Sequence, residues 1–171
     1  MGKTKNKIRI TFSGSNSCSV TGSCTWIKAT NYQVLLECGL YQSDSLKESY
    51  KVNSTKFPFK PKNIDYIFLT HTHIDHSGMI PALYAQGCEG KIICPKGTKD
   101  LFKVLALDSA FIISRDCEFL HKRYNMKTSP YYTEEDVYKS LEYIEEYDYY
   151  EKIQLSDEIS FRFVPSGHII A

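Results

Sequence analysis

The stretch IDYIFLTHTHIDH (64–76) decides how this chain is read. Its first half, residues 64–70, is a compact apolar run with the length and side-chain make-up of a buried strand. Its second half packs His71, His73 and His76 into six residues, with Asp75 among them. The cluster begins where the strand should end, and open α/β folds hold their ligands at that edge. If the chain stayed extended, His71, His73 and Asp75 would point the same way. Asp75 and His76 are adjacent and would diverge, so that one short loop could serve two metals.

The donor types fit that purpose. Neutral imidazoles bind Zn²⁺ at roughly 2.0–2.1 Å, and a carboxylate supplies a harder oxygen. Two metals about 3.5–4 Å apart can share a hydroxide and clamp a phosphoryl group. Three clustered imidazoles have no simple packing rationale in a polar turn. A closed structural zinc site would often use cysteine, and no Cys lies near the cluster in sequence. His168, in SGH (166–168), is the natural distant partner, because Gly167 before it lets backbone approach closely. His121, in HKRY, reads as a solvated residue near a helix end.

Working outward, IRITFSG (8–14) alternates Ile8, Ile10 and Phe12 as a strand does. SCTWIKA (23–29) and YQVLLE (32–37) read as two strands joined through Thr30 and Asn31. Residues 42–63, with Pro58 and Pro61, form a surface loop or short helix. Ser77 is a candidate cap for a helix over 78–86 stopped by Gly87, and GKIICP (90–95) is another buried strand. Thr98 is a good N-cap for a helix near 99–113, with Phe102, Leu105 and Phe111 among its apolar positions. Thr133 and Asp136 resemble a capping box opening a helix over 131–144, striped by Val137, Leu141 and Ile144. KIQL (152–155) and EISFRFV (158–164) make a hairpin. This order predicts an α/β fold, a mixed sheet with flanking helices. The tyrosine-rich acidic stretch 131–151 reads as an amphipathic helix with aromatic packing. Its negative charge would repel the phosphates of a stacked nucleic acid.

Composition closes off other classes. Of 171 residues, 42% are hydrophobic and 24% charged, which is globular and argues against disorder. Lys and Arg total 21 against 20 Asp and Glu, so a net charge of +1 offers no global steering of nucleic acid. No run approaches a membrane span, and MGKTKNKIRI lacks the apolar core of a secretory signal. A cytoplasmic setting with reduced thiols is expected. Cys38, Cys88 and Cys94 read as small apolar residues near strands. Lys3, Lys5, Lys7 and Arg9 read as a solvated terminus.

HTHIDH (71–76) matches the H-x-H-x-D-H signature, and by it the chain resembles the metallo-β-lactamase fold hydrolases. VTGSC (20–24), LLECGLYQ (35–42), FLTHTHIDHSGMIPAL (68–83), ALDSAFII (106–113), YYTEEDV (131–137) and SGHIIA (166–171) narrow the resemblance to the β-CASP branch of RNA-processing nucleases. The resemblance implies an αββα sandwich of which residues 1–171 form the N-terminal part. It implies that His71, His73 and His168 hold one zinc, and that Asp75 and His76 belong to a second. The family usually has Asp where Glu37 stands, supporting the metal loop. A metal-bound hydroxide would cleave RNA, with Asp75 assisting. A bridging Asp, a further His and the β-CASP insert would lie past the third metal motif. The 171 residues alone should then carry one zinc or none and turn over weakly. They should also expose a sheet face, which favours a homodimer or a partner subunit. A thioester or lactone hydrolase, or a non-catalytic RNA- or protein-binding subunit, are the alternatives on the same fold.

Overall fold

The structure is a computed structural model that describes residues 7–14 and 20–169. Six strands form one sheet in sequence order: β1 (Arg9–Phe12), β2 (Thr25–Lys28), β3 (Gln33–Leu36), β4 (Tyr66–Phe68), β5 (Lys91–Pro95) and β6 (Ile144–Tyr147). β1, β2 and β3 pair antiparallel. From β3 to β6 the pairing is parallel. Parallel neighbours need crossovers, and helices supply them. α1 (Leu46–Asn53) lies between β3 and β4. α2 (Ile74–Ser77) and α3 (Ile80–Ala85) lie between β4 and β5. α4 (Thr98–Tyr124) and α5 (Glu134–Leu141) precede β6. A separate hairpin, β7 (Ile153–Gln154) with β8 (Ser160–Phe161), follows.

Strand register builds the core. Leu35 stands opposite Ile67, Ile67 opposite Ile92, and Ile92 opposite Ile144. That row is buried with Ile80, Leu83, Phe102, Ala106 and Val137 from the crossover helices. Each fully buried Leu, Ile or Phe contributes about 1.5–3 kcal/mol. On the other sheet face, Phe161 of the hairpin packs on Phe68 and Tyr147, with ring centroids 5.2 Å away in each case. That cover does not reach the far edge, where Ile8, Ile10 and Phe12 are 69%, 57% and 70% exposed.

Several expectations hold, and several need correction. The mixed sheet with flanking helices is present, and Cys38, Cys88 and Cys94 are buried. The undecided segment 42–63 contains α1, capped by Ser45, whose side chain accepts from Glu48 N. The single helix expected over 131–144 ends at Leu141. Ile144 continued the helical stripe in sequence but opens β6 instead, because the free edge of β5 recruits it through Ile92. The capping box at Thr133 and Asp136 is real. Thr98 is the first residue inside α4, not its cap; Gly97 takes that place with φ 85°. The helix runs to Tyr124, well past 113, and its buried stripe is Phe102, Ala106, Ala110, Ile113, Cys117 and Leu120. Phe111 faces outward. Ser77 does not cap α3 either. It ends α2, and its hydroxyl donates to Thr72 O and His73 O. Of the N-terminal lysines, Lys3 and Lys5 lie outside the described residues, as does Cys18.

Candidate metal centre

The ladder of β4 continues as far as Leu69, whose N–H donates to Ile93 O at 2.9 Å. The chain then runs Thr70-His71-Thr72-His73 and turns at once into α2, with His73 as its N-cap at φ −53°, ψ 140°. The turn is braced from outside. Cys38 N–H donates to His76 O, Leu40 N–H to Ile74 O, and Ser23 N–H to Asp75 O, at 2.8, 2.9 and 2.7 Å. Gly39 lies directly against this loop, since a Cβ there would come within 1.6 Å of Asp75 O. No side chain can occupy that space.

His71 and His73 project from the strand exit. His71 Nε2 lies 3.1 Å from His73 Nδ1. His168 arrives from the other end of the described chain, after Gly167 at φ 77°, and its Nε2 lies 3.2 Å from the same His73 Nδ1. One ligand nitrogen from each ring falls within 4.8 Å of the other two. A single His73 nitrogen cannot serve two such neighbours by ordinary hydrogen bonding, because it offers one lone pair or one proton. The geometry does suit a shared cation, since two nitrogens on a tetrahedral zinc stand about 3.3 Å apart. The three-histidine cluster could therefore hold a metal ion. A small cleft of about 90 Å³ opens on it, bordered by Thr70, His71, Pro95, Phe163 and His168.

Asp75 and His76 behave differently from the sequence reading. α2 begins at Ile74, so extension does not persist to Asp75. The two side chains converge instead of diverging: Asp75 Oδ2 lies 3.5 Å from His76 Nε2. The His76 ring lies 4.2 Å from the His71 ring, centroid to centroid. The pair therefore borders the three-histidine cluster without joining it.

Glu37 supports both groups. It is 7% exposed and sits just past β3 at φ 63°, a left-handed conformation that costs a non-glycine residue energy. Its Oε1 accepts from Thr70 N–H at 3.1 Å. The Thr70 hydroxyl in turn lies 2.9 Å from His71 Nδ1, which leaves Nε2 free to face the cluster. Glu37 Oε2 lies 3.7 Å from His76 Nδ1. Glu37 is therefore not the solvent-facing carboxylate that a strand-end acid could have been. Thr70 went unnoticed in the sequence; a hydroxyl immediately before the first histidine was the available signal.

Electrostatics separate the two histidine environments. Burial, with the neighbouring His76, holds His71 below the ordinary histidine range, which favours the neutral ligand form. The Glu37 carboxylate beside His76 holds that imidazole above it. His121 stays apart in the last turn of α4, exposed, with Nδ1 3.1 Å from Met126 O.

Residues 20–136 match the model of the metallo-beta-lactamase superfamily. The chain belongs to this superfamily. Within it, the chain is 30% identical over 150 residues to Ribonuclease TTHA0252 of Thermus thermophilus, covering 88% of this chain and 30% of the relative. It is 33% identical over 150 residues to the transcription termination factor FttA of Methanothermobacter thermautotrophicus, covering 86% and 22%. The β-CASP relationship read from the motifs stands with these relatives, and the chain spans less than a third of the length of either. Among solved structures, an archaeal metallo-beta-lactamase superfamily protein from Sulfolobus tokodaii aligns with 88% of this chain and 52% of its own, at 21% identity and a TM-score of 0.46. No helix among the described residues is long and apolar enough to cross a membrane.

Proposed function

We propose that this chain carries part of the active site of a zinc-dependent phosphodiesterase that cleaves RNA. The observation that carries the reading is the meeting of His71, His73 and His168 beside Asp75 and His76. The ribonuclease among its relatives supports RNA as the substrate class. His71, His73 and His168 hold one zinc, and Asp75 with His76 belong to a second. A bound zinc supplies Lewis acidity that brings the pKa of water toward about 7.

The remaining work falls to the chain. Thr70 and Glu37 fix the His71 ring so that Nε2 faces inward. Asp75 orients the attacking water and takes its proton. His76, held by Glu37, positions Asp75 from the other side. The superfamily resemblance calls for a bridging carboxylate and a further histidine, and we assign these to polypeptide outside the 171 residues. The chain alone is then expected to bind metal at the three-histidine position and to cleave weakly or not at all.

The test is cleavage of an end-labelled single-stranded RNA by the native protein, with chelator and D75A controls. Cleavage that survives both treatments unchanged overturns the mechanism. Hydrolysis of a thioester or lactone with no action on RNA would assign the same site to small acyl substrates. RNA binding without turnover, even with the bridging carboxylate and further histidine supplied, would mark a non-catalytic subunit.

A further inference from the structure

A cavity lies on the far side of the metal loop's brace. It measures about 460 Å³ and is lined in part by Ser13, Gly14, Cys24, Cys38, Gly39 and Tyr41. Two of its wall residues are cysteines that the proposed phosphodiester chemistry does not use. Cys24 precedes β2 and is partly exposed, whereas Cys38 follows β3 and is 1% exposed. The antiparallel register brings them together, since Thr25 stands opposite Leu36 and Gly39 N–H donates to Ser23 O at 2.8 Å. The Ser13 hydroxyl donates to Cys24 O at 3.2 Å and can turn to the Cys24 sulfur, 3.5 Å away, as its alternative acceptor.

From this arrangement we infer that Cys24 is an oxidant-reactive thiol that takes hydroperoxides and is resolved by Cys38. Access, polarity and a partner are all present. The cavity opens onto Cys24. Ser13 Oγ supplies a donor that stabilises a thiolate. Cys24 is the more exposed of the two and meets the oxidant first, with the buried Cys38 behind it in the same cavity wall. The other described cysteines lack these features. Cys88, Cys94 and Cys117 are buried, and burial pushes each thiol up.

The chemistry balances in two steps. The Cys24 thiolate attacks the peroxide, its sulfur gains oxygen as sulfenic acid, and the peroxide's other oxygen leaves as water after taking one proton. The Cys38 thiol then attacks the sulfenic sulfur. The S–O bond breaks, a second water leaves with the Cys38 proton, and a Cys24–Cys38 disulfide remains. The peroxide is the two-electron oxidant. The bond forms directly beneath the loop, between segments whose backbone braces Asp75 and His76. This inference is independent of the RNA reading.

The experiment treats the 171-residue chain with hydrogen peroxide, stepwise from stoichiometric amounts, and maps cysteines by mass spectrometry. A Cys24–Cys38 disulfide, reversed by dithiothreitol, is expected before any change at Cys88, Cys94 or Cys117. In C38S, a dimedone adduct should accumulate at Cys24, and in C24S the disulfide should vanish. Iodoacetamide at neutral pH should label Cys24 at least about tenfold faster than those three buried cysteines. Equal labelling, or peroxide oxidation that spares Cys24 in both wild type and C38S, overturns the inference. C24A, checked for folding by circular dichroism, separates lost chemistry from lost structure.

Discussion

Glu37 Oε2 and His76 Nδ1 face each other at 3.7 Å, both atoms buried and neither with a hydrogen-bond partner among the described residues. The opposite oxygen of the same carboxylate holds Thr70 N–H. One side chain therefore sets the approach of both halves of the candidate centre, from a backbone conformation that is itself strained. Such a conformation persists only where the surroundings over-determine it.

Removing that carboxylate should loosen both halves. E37A leaves Thr70 N–H without its acceptor and His76 without its facing carboxylate, at a cost of about 1–3 kcal/mol. Zinc affinity should fall by roughly 10–100-fold, while E37D should recover part of it. Chelator competition measures the affinity and urea unfolding the stability. Unchanged affinity in E37A would show that the carboxylate does not orient the ligands.

Loss of any one of the three clustered histidines should empty the first metal position. Zinc content, measured by mass spectrometry after dialysis, should fall from about one per chain to a small fraction in H71A, H73A and H168A. H168A should keep its unfolding midpoint in the absence of metal, because His168 is exposed and follows the last strand. Full zinc retention in H168A would separate that residue from the site.

Gly39 should tolerate no side chain. G39A places a methyl group within 1.6 Å of Asp75 O, so the metal loop or β3 must move. The expected destabilisation exceeds about 3 kcal/mol. G87A makes a useful contrast, since nothing lies within 4 Å of that position and only its φ of 82° is unfavourable. It should cost about 1 kcal/mol. Urea midpoints of the two variants should differ clearly.

The uncovered edge should be sticky. Ile10 and Phe12 stand exposed on the outermost strand with Ile8 just before it, and such strands template association. I10K with F12K should lower concentration-dependent self-association in sedimentation velocity and leave the urea midpoint nearly unchanged.

A surface pair gives a pH signature. Lys91 Nζ lies 2.7 Å from Glu145 Oε1 across β5 and β6 and holds that carboxyl below the usual range. Because the folded-state value is depressed, the stabilisation is present above the unfolded carboxyl range near about 4.3. It is lost as pH falls through the lower folded value. The pair is partly exposed, so the effect is about 0.5 kcal/mol or less. Wild type should exceed E145Q slightly in urea midpoint at pH 7, and the gap should close at pH 3.

The strands and the histidine cluster were legible because both are local signals. Alternation marks β1, and HTHIDH needs no tertiary information to stand out. The remote partner His168 was readable from Gly167 beside it and from the family resemblance. What escaped was decided at a distance. Ile144 fits a helical stripe, and only the vacant edge of β5 makes it a strand residue. Asp75 was expected to follow an extended chain, but backbone donors at Ser23, Cys38 and Leu40 hold the loop in a helical turn. Thr70 carries no pattern of its own, and its role depends on Glu37 arriving from another strand.

His168 meets His73 across 95 positions of sequence. A cation gripped there would fasten two distant parts of the chain as a cross-link does, and closing so long a loop has a large entropic consequence. Occupancy of the three-histidine position should therefore slow amide exchange from β7 through His168, so that the ion sets the rigidity of a segment it touches at a single side chain.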